Sequence, residues 1–292
     1  MANYTTVDDA SANFQCHLYS GTGSSNSVTL GGNSDLQPDL VWIKSRNQSG
    51  YNPNWTDSIR GVTKIIWPNR TNAQNTYADS LTAFNSDGFT IGADSANGEQ
   101  NLSGESYVSW CWKAGGSASN NTTGDITASQ SANATAGFSI STFNTSGQSG
   151  TMTCGHGLGA VPKFIIIKPY DTSDDWYVYH SSMTNDRYIR LNQENAETTN
   201  DATWALTTPT SSVFSIGAGF WGANSNGLLC YAFSEVRGYS KFGAYQGNGQ
   251  TDGVFVFCGF QPSLVIIKRT GGNGDWEVLD NKRLGYNPRV ET

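Results

Sequence analysis

One phrase recurs three times along the chain and constrains its fold more than any other feature. It reads QPDLVWIKSR from Gln37 to Arg46, VPKFIIIKPY from Val161 to Tyr170 and QPSLVIIKRT from Gln261 to Thr270. In each copy a proline precedes an apolar run closed by a lysine, so Pro38, Pro162 and Pro262 align, as do Lys44, Lys168 and Lys268. The likeness extends in both directions. Upstream lies an aromatic-led, glycine-rich turn at Tyr19, Phe143 and Tyr245, and downstream a tryptophan at Trp55, Trp176 and Trp276. Further on, the stretch from Asp87 to Gly115 matches that from Val213 to Gly238, which sets Cys111 opposite Cys230. A repeat of this kind means that one supersecondary unit is built several times over.

The repeated runs Leu40–Lys44, Phe164–Lys168 and Leu264–Lys268 are short and rich in β-branched and aromatic residues, which predicts buried core strands. A proline at each entrance fixes φ and cannot donate to a ladder, so it belongs at a strand end. Between Tyr107 and Lys113 the residues alternate, with Val108, Trp110 and Trp112 on one side, as in a sheet with one packed face. Asp-Gly and Asn-Gly pairs at 87–88, 97–98, 226–227, 248–249 and 273–274 supply hairpin turns. Only 14% of residues are charged, and Gly, Ser, Thr and Asn are abundant, so long helices are not expected. The segment from Asn72 to Ala83 has no sustained apolar stripe and reads as loop.

The expected fold is therefore all-β, a tandem of β-sandwich, jelly-roll-like repeat units with little helix. The expected divisions are an N-terminal arm over 1–17, unit 1 over 18–116, a polar linker or exposed hairpin over 117–136, unit 2 over 137–240 and the first half of unit 3 over 241–292. The linker is assigned because it holds almost no large apolar residue. An open half-unit exposes strand edges, so the expectation is that the sequence continues beyond Thr292 or that a neighbour supplies the rest.

Function classes narrow by elimination. A net charge of −7 without a Lys/Arg cluster argues against nucleic acid. No stretch approaches the roughly 18 apolar residues of a membrane helix, so no membrane insertion is expected. Five cysteines at long spacings do not make a closed disulfide framework. Cys16-His17 and Cys154 with His156 lack a second ligand pair, and the carboxylates around Asp87 and between Asp171 and Asp175 lack calcium-loop spacing. No metal, cofactor or catalytic residue is assigned, and the chain is read as a non-enzyme. The repeated lysine is expected to snorkel from a strand end as an architectural residue. Trp55, Trp176 and Trp276 are expected chiefly in packing.

The run PDLVWIKSR, then WTDSIRG, SDGFTIG and above all WCWKAGG from Trp110 to Gly116, resembles a repeat domain of marine bacteriophage virion proteins of the cyanophage and pelagiphage type, many of them tail fibres. The resemblance covers nearly the whole chain. It implies a virion-surface location, contact with other virion proteins and a binding or decorating task, in a protein made in the bacterial host cytoplasm. Phage fibres are commonly trimeric, so a homotrimer is expected on that ground alone. The leading expectation is a tail-fibre or adhesin-type protein that binds a host-surface glycan or protein. The alternative is a capsid or tail decoration protein, and a glycan depolymerase stands third. Contact residues are expected in two aromatic loops, at Tyr51 and Trp55 and at Phe220, Trp221 and Asn224.

Overall fold

A computed structural model of the chain describes residues 5–221 and 227–283. The repeated units appear as strands in the same spatial order. Unit 1 comprises β1 (Phe14–Ser20), β2 (Asn26–Val28), β3 (Leu40–Ser45), β4 (Asn54–Asp57), β5 (Lys64–Ile65), β6 (Asn75–Thr76), β7 (Leu81–Asn85), β8 (Gly88–Ile91) and β9 (Ser106–Trp112). Unit 2 comprises β10 (Ser119–Asn121), β11 (Ala128–Asn133), β12 (Phe138–Asn144), β13 (Thr151–Gly155), β14 (Pro162–Pro169), β15 (Tyr177–His180), β16 (Arg187–Arg190), β17 (Thr198–Thr199), β18 (Val213–Gly217), a single helical turn α1 (Ala218–Trp221) and β19 (Gly227–Ser234). Unit 3 contributes β20 (Leu264–Lys268) and β21 (Trp276–Asp280). The main sheet of unit 1 runs β1-β9-β3-β4, and the corresponding part of unit 2 runs β12-β19-β14-β15. Each closing strand thus slots between the first strand and the proline-led strand of its own unit.

Each complete unit is a sandwich. In unit 1 the second layer is β2-β8-β7, and Val28, Val41, Ile43, Phe89, Ile91 and Tyr107 fill the space between the layers. In unit 2 the second layer is β13-β18, and Met152, Cys154, Ile165, Ile167, Phe214 and Ile216 do the same. Side chains alternate across a strand, so Val41 and Ile43 face this inner core while Leu40 and Trp42 face outward. Those outward faces are not wet. They meet one another in a third core in which Trp42, Trp55 and Trp110 of unit 1 join Ile166, Trp176 and Tyr231 of unit 2, with Trp276 and Val278 of unit 3 against them. The turn at Asp87-Gly88 brings β7 onto β8. Gly88 has φ +100° there, and a Cβ at this position would overlap the Val28 carbonyl.

The strand register corrects two sequence alignments. Leu40, Phe164 and Leu264 pair with Asp57, His180 and Asp280 respectively, so Trp55 corresponds to Val178 and Val278 rather than to Trp176 and Trp276. Likewise Trp112 and Phe233 face Leu40 and Phe164, which places Trp110 opposite Tyr231 and sets Cys230 against Ser109, not Cys111. Both alignments slip by two residues. Such a slip keeps each side chain on its face of the sheet, so matching letters fit equally well in the wrong place.

Two further expectations change, and one left open between alternatives is decided. The N-terminal arm does not extend to residue 17, because Phe14–His17 lie in β1 opposite Ser109–Trp112. Before it, the Asp9 carboxylate caps the turn Ala10–Ala12 and accepts from Ser34, tying that stretch to unit 1. Of the two readings of residues 117–136, linker or exposed hairpin, the structure shows a hairpin, and it is partly buried. The hairpin is β10-β11, which extends the sheet of unit 2 beyond β12, and Ile126, Ala128 and Ala136 are buried. Small side chains suffice there because the hairpin lies close against β13, with Ile126 bridged to Cys154. In unit 2 the repeated lysine does not snorkel to water, whereas Lys44 and Lys268 are only partly buried. Lys168 is fully buried, and its ammonium donates to the carbonyls of Pro169 and Thr172. Lys44 does the same to Ser45 and Gln48, and Lys268 to Arg269 and Gly274. Each lysine staples the loop that follows its strand, and burial pushes the Lys168 ammonium pKa down to about 8.

The units are joined in a consistent direction. The Tyr231 hydroxyl of unit 2 donates to Asp57 of unit 1 at 2.8 Å, and the indole N–H of Trp110 in unit 1 donates to Asp280 of unit 3 at 3.2 Å. The register makes these the same contact repeated. Both carboxylates also hold an arginine three residues on, Arg60 and Arg283, at 2.6 Å. A second contact repeats as well: Trp176 of unit 2 donates to the Trp67 carbonyl of unit 1, and Trp276 of unit 3 donates to the Arg190 carbonyl of unit 2. Each unit therefore touches both others, head to tail, around the third core.

Candidate functional site

Unit 1 carries an open cleft of about 460 Å³ on a loop that unit 2 contacts from behind. It is built on the stretch from Trp67 to Tyr77, which carries only the two-residue strand β6 yet is clamped from behind. Trp176 donates to the carbonyls of Trp67 and Arg70 at 3.0 and 3.1 Å. Tyr170 accepts from the Gln74 amide at 2.7 Å, and Asp174 donates its amide to the Thr71 carbonyl at 2.8 Å. A surface loop without long strands is thereby held rigid by the neighbouring unit.

One wall is aromatic. Trp67 and Tyr77 meet edge to face, with centroids 6.4 Å apart. Trp67 is largely buried and Tyr77 is half-buried. Behind them, Glu99 is held by three donors: the Asn52 amide and side-chain N–H₂ on Oε1 and the Trp67 indole N–H on Oε2. Asn69 in turn donates to the Asn52 side-chain oxygen at 2.9 Å. The lining also includes Arg70, Asn72, Gln74 and Asn75, all exposed except Gln74. A smaller cleft of about 330 Å³ lies in unit 2 between Thr142, Tyr170, Asp171 and Gly227.

The residues expected from sequence fare unevenly. Tyr51 is half-exposed beside Asn52 and is not among the residues that line the larger cleft. Trp55 is not a contact residue: it is 4% exposed, lies in β4 rather than a loop and meets Trp42, Trp176 and Tyr231 ring to ring. Trp221 is also excluded, at 8% exposed with its indole N–H given to the Thr203 carbonyl. Phe220 is half-buried against Tyr177 and Tyr188, and Asn224 lies outside the described residues. Trp67, Arg70 and Tyr77 were missed by sequence reasoning. The available signal was a tract of Asn, Thr and Gln between two aromatics, WPNRTNAQNTY.

No group of His, Cys, Asp and Glu among the described residues is arranged to hold a metal ion. Burial raises the Cys111, Cys154 and Cys230 thiols, well away from the range of a reactive thiolate. No helix among the described residues is long and apolar enough to cross a membrane.

The architecture defines an all-β, sandwich-type protein with repeated units. A family described as a domain of unknown function, DUF7483, matches residues 9–292, and the chain belongs to that family. No curated protein matches the chain, and no solved structure does.

Proposed function

We propose that this chain is a non-enzymatic bacteriophage virion protein of the tail-fibre or adhesin type that binds a host-surface glycan, with the cleft between Trp67 and Glu99 as the binding site. The observation that carries the reading is the composition of that cleft. The half-buried Tyr77 offers a sugar ring an aromatic contact beside Trp67, and Arg70, Asn72, Gln74 and Asn75 offer hydrogen-bond donors and acceptors around it. The clamp from unit 2 fixes these groups before a ligand arrives, which lowers the ordering cost of binding. The sequence resemblance to marine phage virion proteins supports the location. It also supports a homotrimer and contact with other virion proteins.

The decisive experiment is binding of the purified chain to a panel of bacterial surface polysaccharides, followed by Tyr77→Ala and Arg70→Ala. The expected result is saturable binding that falls at least tenfold in either variant, because each loses a stacking or charged hydrogen-bond contact worth about 1.5 kcal/mol or more. Binding untouched by both substitutions refutes the site. Density for this protein over a capsid lattice, with no glycan binding, favours the decoration alternative. Cleavage of the polysaccharide favours a depolymerase.

A further inference from the structure

The hydrogen bonds around the cleft beside Tyr77 sort into filled acceptors and unfilled donors. The clamp from unit 2 occupies backbone acceptors first: the Trp176 indole N–H takes the carbonyls of Trp67 and Arg70, and the Asp174 amide takes that of Thr71. The side chains that line the cleft show the same bias. Oε1 of Gln74 accepts from Arg60 Nη1 at 3.4 Å, Oδ1 of Asn75 accepts from the Thr76 amide at 2.8 Å, and the Tyr77 phenol oxygen accepts from Asn75 Nδ2 at 3.0 Å. Arginine and backbone N–H groups can only donate, so these partners fix which way both amides point. Glu99 is likewise occupied, with two donors on Oε1 and the Trp67 indole on Oε2.

What remains is a set of donors. Arg70 is exposed, and its guanidinium makes no hydrogen bond or ion pair among the described residues. Gln74 keeps its N–H₂ unoccupied, and the Tyr77 hydroxyl keeps its own proton to give. The charged residues of the lining are Arg70 and Glu99. Three N–H donors lie against the Glu99 carboxylate and offset its charge, whereas nothing among the described residues offsets that of Arg70. The remote acidic groups behind the net charge of −7 are screened over about 8 Å at physiological ionic strength, so the nearest charges decide. A neutral hydroxyl brings a donor with every acceptor, and that donor meets acceptors already taken. An oxyanion brings acceptors alone, and a carboxylate matches the planar fork of a guanidinium with two parallel N–H···O bonds.

We propose that the group this cleft selects is the carboxylate of an acidic sugar, a uronic acid, seated on the Arg70 guanidinium, with Gln74 Nε2 and the Tyr77 hydroxyl as donors to the sugar's other oxygens. The inference rests on the glycan reading and narrows it to one chemical class. Asn72, exposed on the same loop, can donate or accept and so serves the hydroxyls that such a sugar also carries. The clamp from unit 2 thereby does more than hold the loop still. By occupying the carbonyls of Trp67, Arg70 and Thr71 it removes the acceptors that a neutral sugar needs.

The test uses the full chain and the polysaccharide panel, with polygalacturonate, alginate and hyaluronan added. Each acidic polymer is compared with the same polymer after its carboxylates have been reduced to primary alcohols. The parent chain should bind at least one uronate polymer, and reduction should weaken that binding at least tenfold. Arg70→Gln should bind the acidic polymer at least tenfold more weakly than the parent and should no longer distinguish it from the reduced form by more than about twofold. Its melting temperature should not move, because the side chain it replaces is exposed and unpaired. Arg70→Lys should recover only part of the loss, since it keeps the charge without the fork. A polymer bound equally before and after reduction overturns the carboxylate and leaves the glycan reading standing. So does an Arg70→Gln chain that still prefers the acidic form. Dextran sulfate bound in preference to every uronate overturns it too, in favour of a sulfate ester. A chain that binds no polymer, acidic or neutral, refutes the glycan reading and this inference with it.

Discussion

Asp57 is the residue whose removal should most clearly reveal how the units are held together. Its side chain is fully buried, and that of Arg60 is 2% exposed. The carboxylate takes the Arg60 Nε–H at 2.6 Å, the Arg60 amide at 2.9 Å and the Tyr231 hydroxyl at 2.8 Å. Asp57→Ala leaves the guanidinium buried with only the Trp55 carbonyl at 3.2 Å and the Gln74 side-chain oxygen at 3.4 Å. An uncompensated buried charge of this kind costs about 3–5 kcal/mol. Tyr231→Phe removes one hydrogen bond to a charged acceptor and should cost about 1.5–3 kcal/mol. In the double variant the hydroxyl has already lost its acceptor, so the two losses should fall short of additive by about 1.5 kcal/mol. Urea unfolding followed by far-ultraviolet circular dichroism and by tryptophan fluorescence measures all three. Both probes should report one transition in the parent protein, since Trp55, Trp176 and Tyr231 span the seam. A loss below about 1 kcal/mol for Asp57→Ala, or additivity within about 0.5 kcal/mol, would refute the argument.

Other outcomes follow from single residues. Burial raises the Asp94 pKa to about 6 from 3.8, against the hydrogen bond it accepts from the Gln100 amide. The folded state then holds this proton more tightly than the unfolded chain does. Its contribution is full below about pH 4 and is lost as pH rises through 6, a change of about 3 kcal/mol that Asp94→Asn should remove from the pH profile of urea stability. A thiol reagent should modify Cys258 readily in the native chain and reach the buried Cys16, Cys111, Cys154 and Cys230 only after denaturation. Trp176→Phe removes the indole N–H that serves two carbonyls and should cost about 1–3 kcal/mol of stability. It should also weaken glycan binding without touching the cleft surface, which titration of the variant against the parent would show.

The repeat was legible because a proline entrance, an apolar strand and a terminal lysine are all constrained by packing, and the lysine by its loop carbonyls. The all-β class followed from the same strands and their Asn-Gly and Asp-Gly turns. The true registers of Trp55 and Cys230 were not legible, since a two-residue slip preserves the face and the identity of nearby residues matched by coincidence. For residues 117–136 linker and hairpin stayed open, since small side chains suit a solvated loop as well as a strand close to β13. The cleft was hidden for another reason. Its groups come from the 67–77 loop and from Asn97 and Glu99, and that irregular stretch takes its shape from contacts distant in sequence, β5 and Glu99 in unit 1 and the clamp from unit 2.

The head-to-tail arrangement of the units has a consequence for how such a protein can change over time. Three identical subunits around an axis must alter together, since every substitution appears at all three positions, and their assembly depends on concentration. Here the seams are joined by one chain, so they form at any dilution and each can be edited alone. His180 of unit 2 stands where units 1 and 3 carry Asp57 and Asp280, a difference that one chain can hold at a single seam.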